Sequence, residues 1–204
     1  MRATQIAQIR GQSARFRLVL AASLVIVSGL ATALELDGVK LPERARIGPD
    51  GSAVVLNGAG VRQQAVFRIY VAALYLPSRN SDGEAILGQD RPRRLALHFL
   101  RGVKAKQFNE TTNEALRETL TSEERRPLES RMNQLNDFLA KMPDIVEGTE
   151  IYIDYLPKTG TVISINGKEQ RRIPGADFNK ALMRIWLGDR PRDPKLKQAM
   201  LGAL

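Results

Sequence analysis

The sequence predicts an α+β protein built on one mostly antiparallel sheet. Two observations favour this class, and the length indicates a single domain. Strand-like segments come first, a pair of helical segments follows, then a set of hairpins, and further helices end the chain. Strands and helices do not alternate one by one, as they do in a parallel sheet with crossover helices. The length of 204 residues is typical of one domain, or of one domain with a processed segment, and no repeat or long linker divides it.

The first strands are indicated by turn residues and apolar runs. Residues 48–51 (GPDG) are a strong turn signal, and the β-prone residues 53–56 follow them. Residues 66–76 (VFRIYVAALYL) are apolar almost throughout, which predicts a strand that is buried on both faces. Residues 91–101 are bounded by charged residues and predict another strand.

The spacing of apolar residues then changes to that of helices. In residues 105–120, apolar side chains recur every three or four positions, as on one face of an amphipathic helix. Thr121 and Glu124 form a capping box, which predicts the start of a second helix. Pro143 is expected to help end that helix.

After the helical pair, residues 150–156 (EIYIDYL) alternate between the two faces of a strand. A turn at residues 158–160 leads into a strand over residues 161–165. Asn166-Gly167 is the strongest hairpin signal in the chain and leads into a strand over residues 170–173.

Capping residues predict the last two helices. Asp177 is expected to cap a helix over residues 178–187. Asp193 and Pro194 are expected to supply the N-cap and the first-turn proline of a helix over residues 194–201.

The composition removes much of the usual catalytic chemistry. The chain has no Cys, which excludes disulfides, thiol nucleophiles, iron–sulfur clusters and Cys-ligated zinc. His98 is its one histidine, and its place in a predicted strand favours a structural role. Ser130 lacks the G-x-S-x-G context of a hydrolase. Gly58 and Gly60 lack the rest of a phosphate loop and instead predict a bulge or a close backbone approach. No cofactor and no metal are expected.

The positive charge does not indicate nucleic-acid binding. The chain holds 31 Lys and Arg against 22 Asp and Glu, and four of those bases lie in residues 1–33. The remaining bases are scattered in pairs, such as Arg93-Arg94 and Arg171-Arg172, with acids nearby. A nucleic-acid site usually needs a concentrated basic face with aromatic side chains that stack on bases, and aromatic residues are only 5% here.

The first 33 residues have the features of a secretory signal. An Arg-bearing leader precedes the apolar residues 18–30, and the small residues Ala31 and Ala33 lie where a signal peptidase cleaves. We therefore expect a signal peptide over residues 1–33, a domain over residues 34–204, a periplasmic or secreted location, and no membrane span after processing. The alternative is an uncleaved N-terminal anchor.

Arg62 and Tyr70 are the candidate binding residues. Arg62 precedes the nearly all-apolar run, and Tyr70 supplies a hydroxyl within it. A guanidinium and a phenol in an apolar cleft can hold a carboxylate that has an apolar tail. The alternative is that Arg62 is a surface strand residue and Tyr70 a core aromatic.

Two segments resemble a known family. Residues 56–77 (LNGAGVRQQAVFRIYVAALYLP) resemble the signature strand pair of the chalcone isomerase family, and most of all its exported bacterial branch. Residues 178–202 resemble the C-terminal helices of that branch. The resemblance implies an open-faced β-sandwich, in which a large antiparallel sheet carries helices on one face and a ligand cleft lies between them.

The resemblance also implies which site residues are kept and which are lost. Arg62 matches the Arg with which the isomerases stabilise phenolate charge, whereas Phe108 stands where they have a Tyr. Ala115 and Ile185 stand where they have an Asn and another polar residue. Fatty-acid-binding members of the family use the Arg together with a Tyr, and Tyr70 supplies that Tyr here.

The sequence therefore predicts an exported, non-catalytic binding protein for a fatty acid or a similar amphipathic carboxylate. Arg62, Tyr70 and Phe108 are its expected ligand-binding residues. One alternative is an intramolecular lyase or isomerase of the chalcone isomerase type with an unknown substrate, in which His98 could act as acid or base. Another is an interaction protein whose cleft is vestigial.

Overall fold

The computed structural model describes residues 33–202, and these residues form a seven-stranded antiparallel sheet, a two-stranded sheet and a set of helices. The strands are β1 (Ala33–Leu36), β2 (Val39–Pro42), β3 (Arg44–Ile47), β4 (Ser52–Gln64), β5 (Phe67–Leu76), β6 (Arg93–Phe99), β7 (Glu150–Leu156), β8 (Gly160–Ile165) and β9 (Lys168–Ile173). The helices are α1 (Gly83–Gly88), α2 (Ala105–Thr119), α3 (Ser122–Arg125), α4 (Glu129–Ala140), α5 (Ala176–Leu187) and α6 (Pro194–Met200). The predicted signal segment lies outside the described residues, apart from Ala33.

The large sheet follows chain order, from β3 to β9, and every neighbouring pair in it is antiparallel. One face packs against the helices in the main hydrophobic core. The other face carries a smaller core that is completed by Leu41 of β2, with Leu36 and Val39 packed against it. The α+β class and the helices on one face of a large antiparallel sheet are therefore confirmed.

Strand β5 is buried on both faces only in its second half. Residues 71–76 contribute alternately to the two cores, whereas Phe67 and Arg68 are exposed and Ile69 and Tyr70 are half-buried. The prediction of burial along the whole run was wrong at its start. There the helices leave the sheet uncovered, and Phe67, Ile69 and Tyr70 line a cavity instead.

Strand β4 extends well beyond the predicted residues 53–56. Register shifts between Leu56 and Gly58 and between Arg62 and Gln63 confirm the expected bulge. The expected close backbone approach is also present, because α6 crosses β4 at Gly58 and Gly60. The strand continues through its glycines because it pairs with β5 along nearly its whole length.

The second predicted helix is divided into three pieces. Thr121 and Glu124 make both hydrogen bonds of the capping box, at 2.7 and 3.2 Å. After α3, residues 126–128 form a 3₁₀ turn, and α4 then begins at Glu129. Pro127 lies in this turn, and a proline has no N–H to continue the helical ladder.

Of the two predicted caps near the C-terminal end, one is confirmed and one is wrong. Asp193 accepts a hydrogen bond from the backbone N–H of Leu196 at 3.0 Å, and Pro194 begins α6. Helix α5 begins at Ala176 after Gly175, which has a φ of 101°, so Asp177 lies inside the first turn. Its carboxylate pairs with Arg131 at 2.8 Å instead.

Candidate functional site

A cavity of about 470 Å³ opens between the large sheet and the helices. Its wall is formed by the end of β4, the start of β5, the segment after β6, α2, α5 and the start of α6. Most of this wall is apolar, and its apolar side chains include Ile69, Phe108, Ala115, Ile185, Trp186 and Leu196. Ligand pockets in proteins have volumes of roughly 300–1,000 Å³ and are mostly apolar with a few placed polar groups.

Arg62 and Tyr70 are directly paired across β4 and β5, and both line this cavity. They come together because the β4–β5 hairpin is in register at this point, just before the second bulge. Beyond this pair the register shifts, because Gln63 pairs with Arg68 and Ile69 is skipped on β5, and bulges of this kind commonly re-aim side chains. The structure thus brings the two sequence-predicted binding residues together at one wall.

Arg62 also has a protein partner that the sequence did not predict. Its Nη1 donates to Asp193 Oδ2 at 3.1 Å and to the backbone oxygen of Gln63 at 2.8 Å. The same aspartate caps α6, so one carboxylate joins the guanidinium to the helix N-terminus. Within residues 33–202, Arg62 donates to protein acceptors through Nη1 alone, which leaves the N–H groups of Nε and Nη2 for a ligand.

The hydroxyl of Tyr70 is held by Trp186. The indole Nε1 donates to the Tyr70 oxygen at 3.2 Å, so the proton of the phenol remains available to another acceptor. Desolvation raises the pKa of Tyr70, and the hydrogen bond from Trp186 and the nearby charge of Arg62 only partly offset this. The hydroxyl is therefore protonated at neutral pH and can act as a hydrogen-bond donor.

Phe108 forms an aromatic wall beside this polar pair. Its ring lies 5.8 Å from that of Phe99, edge to face, and Phe99 in turn lies 5.4 Å from the ring of Tyr70. Phe108 lines the cavity from α2 and has no polar group to offer a ligand. Ala115 and Ile185 line the same cavity, so these three positions together supply apolar surface.

Two further arginines line the cavity. Arg192 pairs with Glu114 at 2.6 Å and with Glu118 at 3.0 Å, both from α2. The guanidinium of Arg101 lies over the ring of Phe67, 4.2 Å from its centroid. Spacing along the sequence indicated neither of these contacts, because each joins elements that are distant in the chain.

His98 does not reach the cavity. It lies on β6 next to Phe99, which faces the helices, so it projects from the opposite face together with Ala96. Its Nδ1 is 3.1 Å from Glu150 Oε1, and burial, partly offset by Glu150, lowers its pKa. Ser130 is exposed on α4. The hypothesis that His98 serves as acid or base beside Arg62 is therefore wrong.

Two negative findings apply to the described part of the chain. Among residues 33–202, no three His, Asp or Glu side chains are grouped so that they could hold a metal ion. No helix in this range is long and apolar enough to cross a membrane.

Comparison with known proteins identifies the family. A family model described as chalcone isomerase-like matches residues 33–202, which is most of the chain. The protein therefore belongs to the chalcone isomerase-like family. A search of curated proteins found no match.

The fold is shared with solved structures. A crystal structure of a fatty-acid binding protein from Arabidopsis thaliana superimposes with a TM-score of 0.62. The match covers 83% of this chain and 96% of the plant protein, with 15% sequence identity. At this identity the comparison shows a common fold.

Proposed function

We propose that this protein binds a fatty acid or a similar amphipathic carboxylate without transforming it. The observation that carries the proposal is the pair of Arg62 and Tyr70 on the wall of a largely apolar cavity. The name of the plant structural neighbour, a fatty-acid binding protein, supports the same class of ligand.

The proposed binding mode follows from the donors of Arg62 and Tyr70 that have no protein acceptor among residues 33–202. The carboxylate accepts hydrogen bonds from Nε and Nη2 of Arg62, and Tyr70 donates a further one. Asp193 holds the guanidinium through Nη1 and leaves its other edge towards the ligand. The tail lies against Phe108, Trp186 and Leu196, where burial of apolar surface contributes roughly 0.8 kcal/mol for each methylene.

A catalytic role has little support from the same geometry. The resemblance to the isomerases places Phe108, Ala115 and Ile185 where those enzymes have polar groups, and all three line the cavity. His98, the one histidine, projects from the other face of the sheet. A hydrogen-bond donor aimed at charge that develops in the transition state stabilises that state by about 2.7–4 kcal/mol. Because several such donors are absent, the retained Arg62 alone gives little basis for the isomerase reaction.

We therefore expect the purified protein to show no useful chalcone isomerase activity. The measurement is the conversion of a chalcone to its flavanone, followed by absorbance, with an authentic isomerase as the positive control. Turnover approaching that of the authentic enzyme, from a preparation free of contaminating isomerase, would support the isomerase alternative.

Binding can be followed with the protein's single tryptophan. Trp186 lines the cavity and touches Tyr70, so a ligand beside them should change its fluorescence. We expect decanoic acid to give a saturable change with a stoichiometry of one, confirmed by native mass spectrometry. No saturable change together with no complex in the mass spectrum would contradict the proposed function.

We also propose that the protein is exported and that its domain begins at about residue 34. The basic leader, the apolar residues 18–30 and the small residues at Ala31 and Ala33 support this. N-terminal sequencing of protein from the producing cell is expected to start near Leu34. A membrane-bound product that starts at Met1 would favour the anchor alternative.

A further inference from the structure

Arg101 differs from the other charged residues of the cavity in having no counter-ion. Arg62 is paired with Asp193, and Arg192 is paired with two glutamates of α2. Among residues 33–202, no carboxylate lies within ion-pair distance of Arg101. Its positive charge is therefore the one on the described cavity wall that no protein anion offsets.

The position of Arg101 is fixed by Phe67 rather than by an acid. Its guanidinium carbon is 4.2 Å from the centroid of the Phe67 ring, a typical cation–π distance. A guanidinium stacked in this way keeps its N–H groups along its edges, where they can meet a carboxylate with two parallel bonds. The stacking thus orients the side chain and leaves its donors free.

Arg101 also lies apart from the proposed Arg62 and Tyr70 headgroup site. Phe67 pairs with Gln64, which lies two residues along β4 from Arg62, and this corresponds to about 7 Å along an extended strand. Phe67 is 52% exposed, so this end of the cavity is open to solvent. The cavity wall therefore presents two separate points at which an anion can be held.

We propose that Arg101 is a second anion-binding residue, and that the ligand is an amphipathic molecule with acidic groups at two points. This inference rests on the proposed function. The simplest molecule of this class is an α,ω-dicarboxylic acid, with one carboxylate at Arg62 and Tyr70 and the other at Arg101. Without a partner for its second charge, a diacid would bind more weakly than the matching monoacid, because that charge would lose hydration on binding.

The experiment compares decanoic acid with decanedioic acid, using Trp186 fluorescence and calorimetry at two salt concentrations. The proteins are wild type, Arg101→Ala, Arg101→Lys and Arg68→Ala. Arg68 is the matched control, because it follows Phe67 directly, pairs with Asp37 at 2.6 Å and does not line the cavity.

Wild type is expected to bind the diacid about tenfold more tightly than the monoacid. Arg101→Ala is expected to abolish this preference while changing monoacid binding little, and Arg101→Lys to keep part of it. Arg68→Ala is expected to behave as wild type. If Arg101→Ala acted only by disturbing the packing of the Phe67 ring, it would weaken the binding of both acids equally and keep the preference.

Two results would overturn the inference. One is wild type that binds the monoacid as tightly as the diacid, and the other is Arg101→Ala that keeps the preference. In either case monoacid binding by wild type would leave the proposed function standing. Wild type that binds neither acid would contradict both.

Discussion

Replacement of Arg62 by Ala is expected to weaken the binding of decanoic acid by tenfold to a hundredfold, about 1.5–3 kcal/mol. The substitution removes the charge-assisted hydrogen bonds to the carboxylate. It also leaves Asp193, which lines the same cavity and otherwise pairs with Arg62 at 3.1 Å, without its counter-ion. An unpaired aspartate beside the ligand would repel its carboxylate, so the effect should lie near the upper end of that range.

Three companion variants separate these contributions. Arg62→Lys should restore binding only in part, because an ammonium lacks the planar fork of the guanidinium. Tyr70→Phe should weaken the binding of decanoic acid less than Arg62→Ala does, since it removes one neutral hydrogen-bond donor and keeps the ring packing. Asp193→Asn keeps a residue that can cap α6 and removes the negative charge, so it should bind decanoic acid at least as tightly as wild type.

Each variant is titrated with Trp186 fluorescence after circular dichroism has shown that it is folded. Folded Arg62→Ala that binds as tightly as wild type would contradict the role of Arg62. Weaker binding by Asp193→Asn would show that the charge of the aspartate is needed to hold Arg62 in place.

Substitution of Gly58 by Ala is expected to lower the free energy of unfolding by about 3 kcal/mol. A Cβ at this position would collide with the backbone oxygen of Ala199 and would lie 2.7 Å from that of Met200. Both are backbone atoms of α6, which cannot move aside as a flexible side chain would. The side-chain amide of Asn57 on β4 also donates a hydrogen bond to the Met200 oxygen at 2.8 Å, which fixes the end of α6 to the strand. The helix would therefore have to shift on β4.

The consequence for binding follows from the position of α6. This helix begins with Asp193, which holds Arg62, and Leu196 of its first turn lines the cavity. A displaced α6 should therefore weaken decanoic acid binding as well as lower the melting temperature by about 10 °C.

Gly88→Ala is the matched control for this prediction. Gly88 ends α1, and a Cβ there would meet nothing within 4 Å. Urea denaturation should show no loss of stability for Gly88→Ala, since alanine is favoured over glycine in a helix. Equal stability of Gly58→Ala and wild type would show that α6 does not pack on the strand at this glycine.

The regular elements could be predicted from the sequence because their signals are local. Strand β7 was predicted with its observed bounds, since alternation over residues 150–156 depends on neighbours in the chain. The capping box at Thr121 and Glu124 and the cap at Asp193 were also correct, because each involves residues three apart. The length of β4 was missed, because it depends on pairing with β5 through glycines and polar residues that have low strand propensity.

The candidate site could be predicted only in part, for the same physical reason. Arg62 and Tyr70 were identified from one short run of sequence, and the hairpin does pair them. The contacts of Arg62 with Asp193 and of Tyr70 with Trp186 join residues more than one hundred positions apart. The stacking of Arg101 on Phe67 likewise depends on how β5 and the segment after β6 lie together. No spacing rule along the chain reports such pairs.

The most direct test of the account is a crystal structure of the protein grown with decanoic acid. We expect the acid in the cavity, with its carboxylate oxygens within hydrogen-bonding distance of Arg62 and of the Tyr70 hydroxyl, and its chain against Phe108. A cavity that contains no acid at saturating concentration, or an acid whose carboxylate lies away from Arg62, would contradict the account.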